Sequence, residues 1–314
     1  MLTRRHIRVK VLQSVYAMYQ NEAPSLDSQE KFLKYSMDQM FDLYLVMLQL
    51  MIAMRDHAED FLVRSQQKHL ATDQEKNPSR TFVDNKVIGL LAGSKRLSDI
   101  ITKKKLNFWA EDDEYTAILF KKLRAEDWYT EYLSKTDRSF TEDRDFLIRV
   151  YKEIIAPDDK LYDYLEDKRL TWLDDFPIVN TAMVKMLGQL SAKNVGSRLL
   201  PDLYKNEDDK EFAIQLLRKV ILNDDMLTSE IDGKTPNWDK ERIAEIDMII
   251  LKMGISEFLY FPSIPVRATI NEYLEISKEY STPKSSLFVN GILDKLVKDY
   301  TETGKLNKIG RGLR

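Results

Sequence analysis

The residue types that could do covalent or metal chemistry are present in the wrong spacing. Three histidines occur, His6, His57 and His69, and no two stand four apart on one helical face as a helical zinc site requires. His57 and Glu59 are two residues apart and would point in different directions from a helix. The acidic run Glu111-Asp112-Asp113-Glu114 lacks the glycine turn and spaced oxygens of a calcium loop and reads as a solvated helix start. The ten glycines are scattered, and Gly310-Arg311-Gly312 neither follows a strand nor opens a helix, so no phosphate-cradling loop is formed. Cysteine is absent, which excludes disulfides, thiolate metal sites and a cysteine nucleophile, and suits a reducing compartment. With no nucleophile–base pair, the expectation is a protein that is not an enzyme and uses no metal or cofactor.

Binding chemistry is better represented. Arg4 and Arg8 lie one turn apart, at the same helical angle as Val11 and Val15, so an apolar stripe runs into two guanidinium groups. Unpaired guanidinium does not stay in a core, so the first turn is expected to project past the edge of the fold with Arg5 beside it. A cationic helix N-terminus is a natural phosphate site, and the competing reading is a set of salt bridges to the acidic body. In the last helix Phe288, Ile292, Leu296 and Tyr300 repeat at four residues. Phe288, in the first turn, is placed either to pack or to stack on an unpaired base. Asn290 can read a base edge or cap a backbone group, and Gly291 inside a helix suggests a close neighbour.

The elements that must carry these residues are helical. The 314 residues are 43% hydrophobic with only 10 Gly and 9 Pro, and apolar positions recur at helical rather than alternating spacing. The fold class is all-α. The spacing predicts a first helix over 4–20 capped by Thr3, a long helix over 28–67, and a return over 81–105 that forms an antiparallel hairpin with it. Further helices are predicted near 113–135, 142–155, 158–168, 177–193, 209–223, 238–260, 265–280 and 285–300, the last capped by Ser285. The stretch Phe41–Met54 is broken by Asp42 and Gln49 and falls short of a membrane span, so it reads as a buried helix. The start Met1-Leu2-Thr3-Arg4-Arg5 has no apolar segment before its charges, so no secretory signal and a cytoplasmic location are expected.

Net charge is −3, yet residues 1–20 carry +4 and residues 298–314 carry +3, leaving −10 on the rest. Basic ends on an acidic body can meet phosphate locally while the body repels bulk nucleic acid.

These residues resemble the NusB transcription antitermination factors, small helical RNA-binding proteins of bacteria. The resemblance rests on Arg4-Arg5-His6-Ile7-Arg8, Gln13-Ser14-Val15-Tyr16, then Asn223, Trp238, Arg242, Asp247 and Leu251-Lys252. It continues through Pro265, Ile270-Asn271-Glu272 and the run Phe288-Val289-Asn290-Gly291-Ile292-Leu293-Asp294. It covers residues 3–20 and about 209–300. The expected organisation is therefore a NusB-like helical core from residues 1–24 and 206–302. A helical insertion, 25–205, of the kind seen in longer Bacteroidetes-type members, packs on or extends that core, and a basic disordered tail occupies 303–314.

The resemblance implies that the protein pairs with NusE, a small-subunit ribosomal protein, binds boxA RNA, and joins elongating RNA polymerase with other Nus factors to suppress termination, notably on ribosomal RNA operons. By position it implies RNA contacts at Arg4, Arg5, Arg8, Lys252, Phe288 and Asn290, and a NusE-facing surface at Tyr16, Glu241 and Asp247. Lys252 stands where arginine is more usual, His6 where some members carry another basic residue, and Lys284 where some are acidic. Two other readings differ in class. One is an interaction scaffold whose insertion is the working surface, with reduced RNA binding. The other is a ribosomal RNA cytosine methyltransferase, ranked last because the 314 residues leave no room for a methyl-transfer domain.

Overall fold

The computed structural model describes residues 1–21, 25–194, 198–234 and 243–313, and every regular element among them is helical. The chain divides into two compact units, one of Leu2–Met37 with Tyr204–Arg314 and one of Asp38–Leu203 with Met1. The first boundary therefore lies at Met37 rather than at residue 24.

Helix α1 (Arg4–Tyr19) starts where the sequence indicates. Thr3 is extended, its hydroxyl accepts from the His6 amide, and the His6 ring accepts from the Thr3 amide, so histidine completes a capping box usually closed by Glu or Gln. Ile7, Val11 and Val15 are fully buried. Helix α2 (Leu26–Gln66) contributes its first turns to this unit and the remainder to the other. By length and composition α2 would suffice to cross a membrane, but 72% of its most apolar window is buried within the protein. Asp42, the charge that interrupts it, is held by Lys104 at 2.6 Å and Arg169 at 2.8 Å.

The inserted unit wraps α2 with shorter helices. The single helix expected over 81–105 is instead α3 (Lys86–Ala92), capped by Asn85, and α4 (Lys95–Lys104), capped by Ser94. Gly93 ends the first, and the Asn85 and Ser94 side chains satisfy the amides that a continuous helix would have used. There follow α5 (Glu114–Arg124), α6 (Asp127–Leu133), α7 (Phe140–Val150), α8 (Asp159–Lys168) and α9 (Phe176–Gln189). Trp109 and Trp172 donate their indole N–H to carbonyls of α2, at Val46 and Gln39.

The remaining core is α10 (Glu207–Leu222), α11 (Asp224–Asp232), α12 (Glu245–Tyr260), α13 (Val266–Tyr280) and α14 (Ser285–Glu302). Helix α11 was not anticipated. Gly254 lets α12 and α14 approach closely, since a Cβ there would stand 3.0 Å from Leu293 Cδ2.

The tail is a correction. Residues 305–313, expected to be disordered, dock on the end of α12. Lys308 Nζ donates to the carbonyls of Glu257 and Phe261, both at 3.0 Å, and Ile309 N–H donates to the Pro262 carbonyl. The two carbonyls already accept from the Phe261 and Ile264 amides, so Lys308 adds a second, charged donor at the C-terminal end of α12, where a lysine is well suited. Burial lowers the Lys308 pKa to about 8.

Candidate nucleic-acid interface

The three arginines that open α1 meet three different surroundings. Arg8 is only 3% exposed, and its Nε and Nη2 donate to the two carboxylate oxygens of Glu257 at 2.6 and 2.8 Å. Glu257 is fully buried and also accepts from the hydroxyls of Tyr273 at 2.7 Å and Thr269 at 3.1 Å. Burial opposes the Arg8 charge, and the Glu257 carboxylate outweighs it, holding the guanidinium above the ordinary arginine range. The expectation that Arg8 projects into solvent is thus corrected: the core receives the charge because α12 supplies a bidentate counter-charge.

Arg4 and Arg5 lie at the rim. Arg4 Nε donates to Asp209 at 2.8 Å with its guanidinium over the Phe212 ring, and Arg5 forks onto Glu272 with two bonds of 2.9 Å. Their side chains keep 36% and 43% of their surface exposed, so each remains reachable.

A cleft of about 730 Å³ opens here, lined by the starts of α1, α10 and α13, with exposed Lys205 before α10 and Pro265 before α13. Pro265 provides no side-chain cap for α13, so no side chain of the cap residue occupies that helix start. His6 also lines the cleft but carries no charge at neutral pH, because burial, followed by the nearby Arg5, lowers its pKa to about 4. Asp208, Asp209 and Glu272 share the walls, so an incoming phosphate must exchange with carboxylates already bonded to Arg4 and Arg5.

The other expected contacts are distributed elsewhere. Lys252 is buried, its Nζ bonded to Asp224 at 2.7 Å and to the Tyr19 hydroxyl at 3.3 Å. Phe288 is half-buried on the first turn of α14, which packs on α12 and α13, and it is not among the residues lining the cleft. Asn290 donates to Asp294 at 3.1 Å, and Gly291 faces open space rather than a close neighbour. Ser285 donates to Asp247 at 2.6 Å instead of capping α14.

On the surface expected to face NusE, Tyr16 is 40% exposed while Asp247 is buried, with one oxygen bonded to Ser285 and the other without a hydrogen-bond partner among the described residues. Glu241 lies outside the described residues, as do Trp238 and Arg242. Reasoning from sequence missed Lys205, Asp209, Glu257 and Glu272. For Glu257 a signal existed, since it is the one acid in the apolar stretch 249–258.

A profile of the NusB family matches residues 178–298, beginning inside the segment expected as insertion. The transcription antitermination protein NusB of Salinibacter ruber is 34% identical over 145 residues, covering 39% of this chain and 91% of that protein. The chain belongs to the NusB family. Further transcription antitermination proteins NusB similar to this chain are those of Chloroherpeton thalassium, 38% identical over 38% of this chain and 57% of that protein, and Clostridium kluyveri, 40% identical over 29% of this chain and 58% of that protein. No solved structure matches the chain. In this NusB-family member more than half of the residues lie outside each match to these relatives.

Proposed function

We propose that this NusB-family protein is a cytoplasmic transcription antitermination factor that binds boxA-type single-stranded RNA together with NusE and acts on elongating RNA polymerase with other Nus factors, notably during ribosomal RNA transcription. It works as an adaptor and performs no chemistry of its own.

The observation that carries the RNA reading is the cleft where Arg4, Arg5 and Lys205 keep exposed charge around converging helix starts. Arg4 and Arg5 exchange their carboxylates for phosphate oxygens, and Arg8 holds α1 in place through Glu257 without touching RNA. Such exchange makes binding by the protein alone modest and salt-sensitive. Phe288 and Asn290, on α14, extend the path of the strand as a stacking and base-edge pair, and Tyr16 supplies the exposed aromatic toward NusE. Lys252 acts indirectly, by tying α12 to Tyr19 and Asp224. The test is an anisotropy titration with boxA RNA, with and without NusE, at several salt concentrations. Binding that NusE strengthens and salt weakens supports the reading.

A second reading, a protein-interaction scaffold built on the inserted unit, is favoured by the large share of the chain outside the family match. Absent or salt-insensitive RNA binding in both titrations supports it instead.

A further inference from the structure

The inserted unit contains a second cleft, independent of the RNA reading, of about 680 Å³ between the end of α2, the segment 72–83, α5 and α6. That volume lies within the usual range for small-molecule sites. Its floor is aromatic: Phe120 meets Phe61 at 5.8 Å and Phe82 at 6.2 Å between ring centroids, and Phe82 meets Tyr129 at 5.9 Å. Floors of this kind favour a flat apolar body.

Two polar groups at this floor are left unmatched. Arg124 lies with its guanidinium carbon 4.0 Å from the Phe61 centroid and 5.9 Å from that of Phe120, and it has no carboxylate partner among the described residues. In a chain with more acids than bases, an exposed arginine that rests on two rings and lacks an acid among the described residues is a distinctive feature. Lys68, the other cation of the cleft, is already satisfied by Glu75 at 2.6 Å. Tyr129 is 7% exposed, and its hydroxyl forms no hydrogen bond to a described group. Burial raises its pKa, so it remains a donor at neutral pH.

We propose that this cleft binds a small amphipathic anion, an aromatic body carrying a carboxylate or sulfonate, with the ring on the Phe82 and Phe120 floor and the anion between Arg124 and the Tyr129 hydroxyl. A planar guanidinium offers two parallel donors to such a group, and the ring faces beneath it fix its plane.

The probe is 8-anilinonaphthalene-1-sulfonate, titrated by fluorescence into the full-length protein, with N-phenyl-1-naphthylamine as the same hydrophobe without the charge. One saturable site for the sulfonate is expected. Arg124→Gln should weaken it about tenfold and leave the uncharged amine within about twofold, while Tyr129→Phe costs the sulfonate about threefold. Arg124→Lys, which keeps the charge and loses the fork, should fall between wild type and Arg124→Gln. The Arg4→Ala/Arg5→Ala variant should bind the sulfonate as wild type does, placing the site away from the RNA cleft. Thermal melts alongside confirm that each variant is folded. Absence of saturable sulfonate binding, or equal affinity in wild type and folded Arg124→Gln, overturns the proposal. Parallel loss of both probes in folded Arg124→Gln also overturns it, because the cleft would then be an apolar trap without anion recognition.

Discussion

Arg8 and the Arg4–Arg5 pair come from adjacent turns of one helix, yet one is the floor of the cleft and the others its rim. Arg8 is sealed against a fully buried Glu257 and two hydroxyls, whereas Arg4 and Arg5 pair with Asp209 and Glu272 while remaining over a third exposed. A buried ion pair with all its hydrogen bonds made is a structural commitment, because removing one partner strands the other in the core. A rim pair contributes little to stability and can be traded for a ligand. The same side-chain type is thus locked into the core or left available at the surface according to what faces it.

The largest expected break in this comparison is at the floor. Glu257→Ala should destabilise the protein by about 3–5 kcal/mol in urea unfolding, and combining it with Arg8→Met should recover much of that loss. A cost under about 1 kcal/mol would mean that the pair is not a structural centre. At the rim, Arg4→Ala with Arg5→Ala should change stability by less than about 1 kcal/mol per pair removed while lowering boxA affinity roughly tenfold at low salt. Asp209→Asn should act in the opposite direction and raise RNA affinity a few-fold at low salt, because it releases Arg4 from its carboxylate.

One further effect is read against pH rather than by deleting a charge. His6 has a pKa lowered from 6.5 to about 4, so the unfolded chain binds more protons than the folded one between those values. Stability is therefore complete above pH 6.5 and is lost progressively as pH falls toward 4. His6→Gln retains a side chain able to close the capping box and should flatten that part of the urea-midpoint profile.

What was legible in the sequence was local. Thr3 and the apolar stripe fixed the start and the face of α1 because the cap and its acceptor are three residues apart. The fate of Arg8 was not legible, since its partner lies 249 residues away and helical angle alone places the guanidinium without naming what meets it. The same limit explains the tail: Lys308 and Ile309 look solvated until the carbonyls at the end of α12 are brought to them. Gly291 shows the reverse error, an inference of close packing where the neighbouring space is open, while the glycine that does bring helices together is Gly254. Phe288 lies half-buried on α14 and does not line the cleft, which Lys205 and Pro265 complete, two residues whose positions only the folded chain brings beside α1.

The salt dependence of boxA RNA binding tests the division between floor and rim most directly. If Arg4 and Arg5 each neutralise a phosphate, removing both should make the slope of log affinity against log salt shallower by about 1.4. A slope identical to that of wild type, in a variant that remains folded, would contradict it.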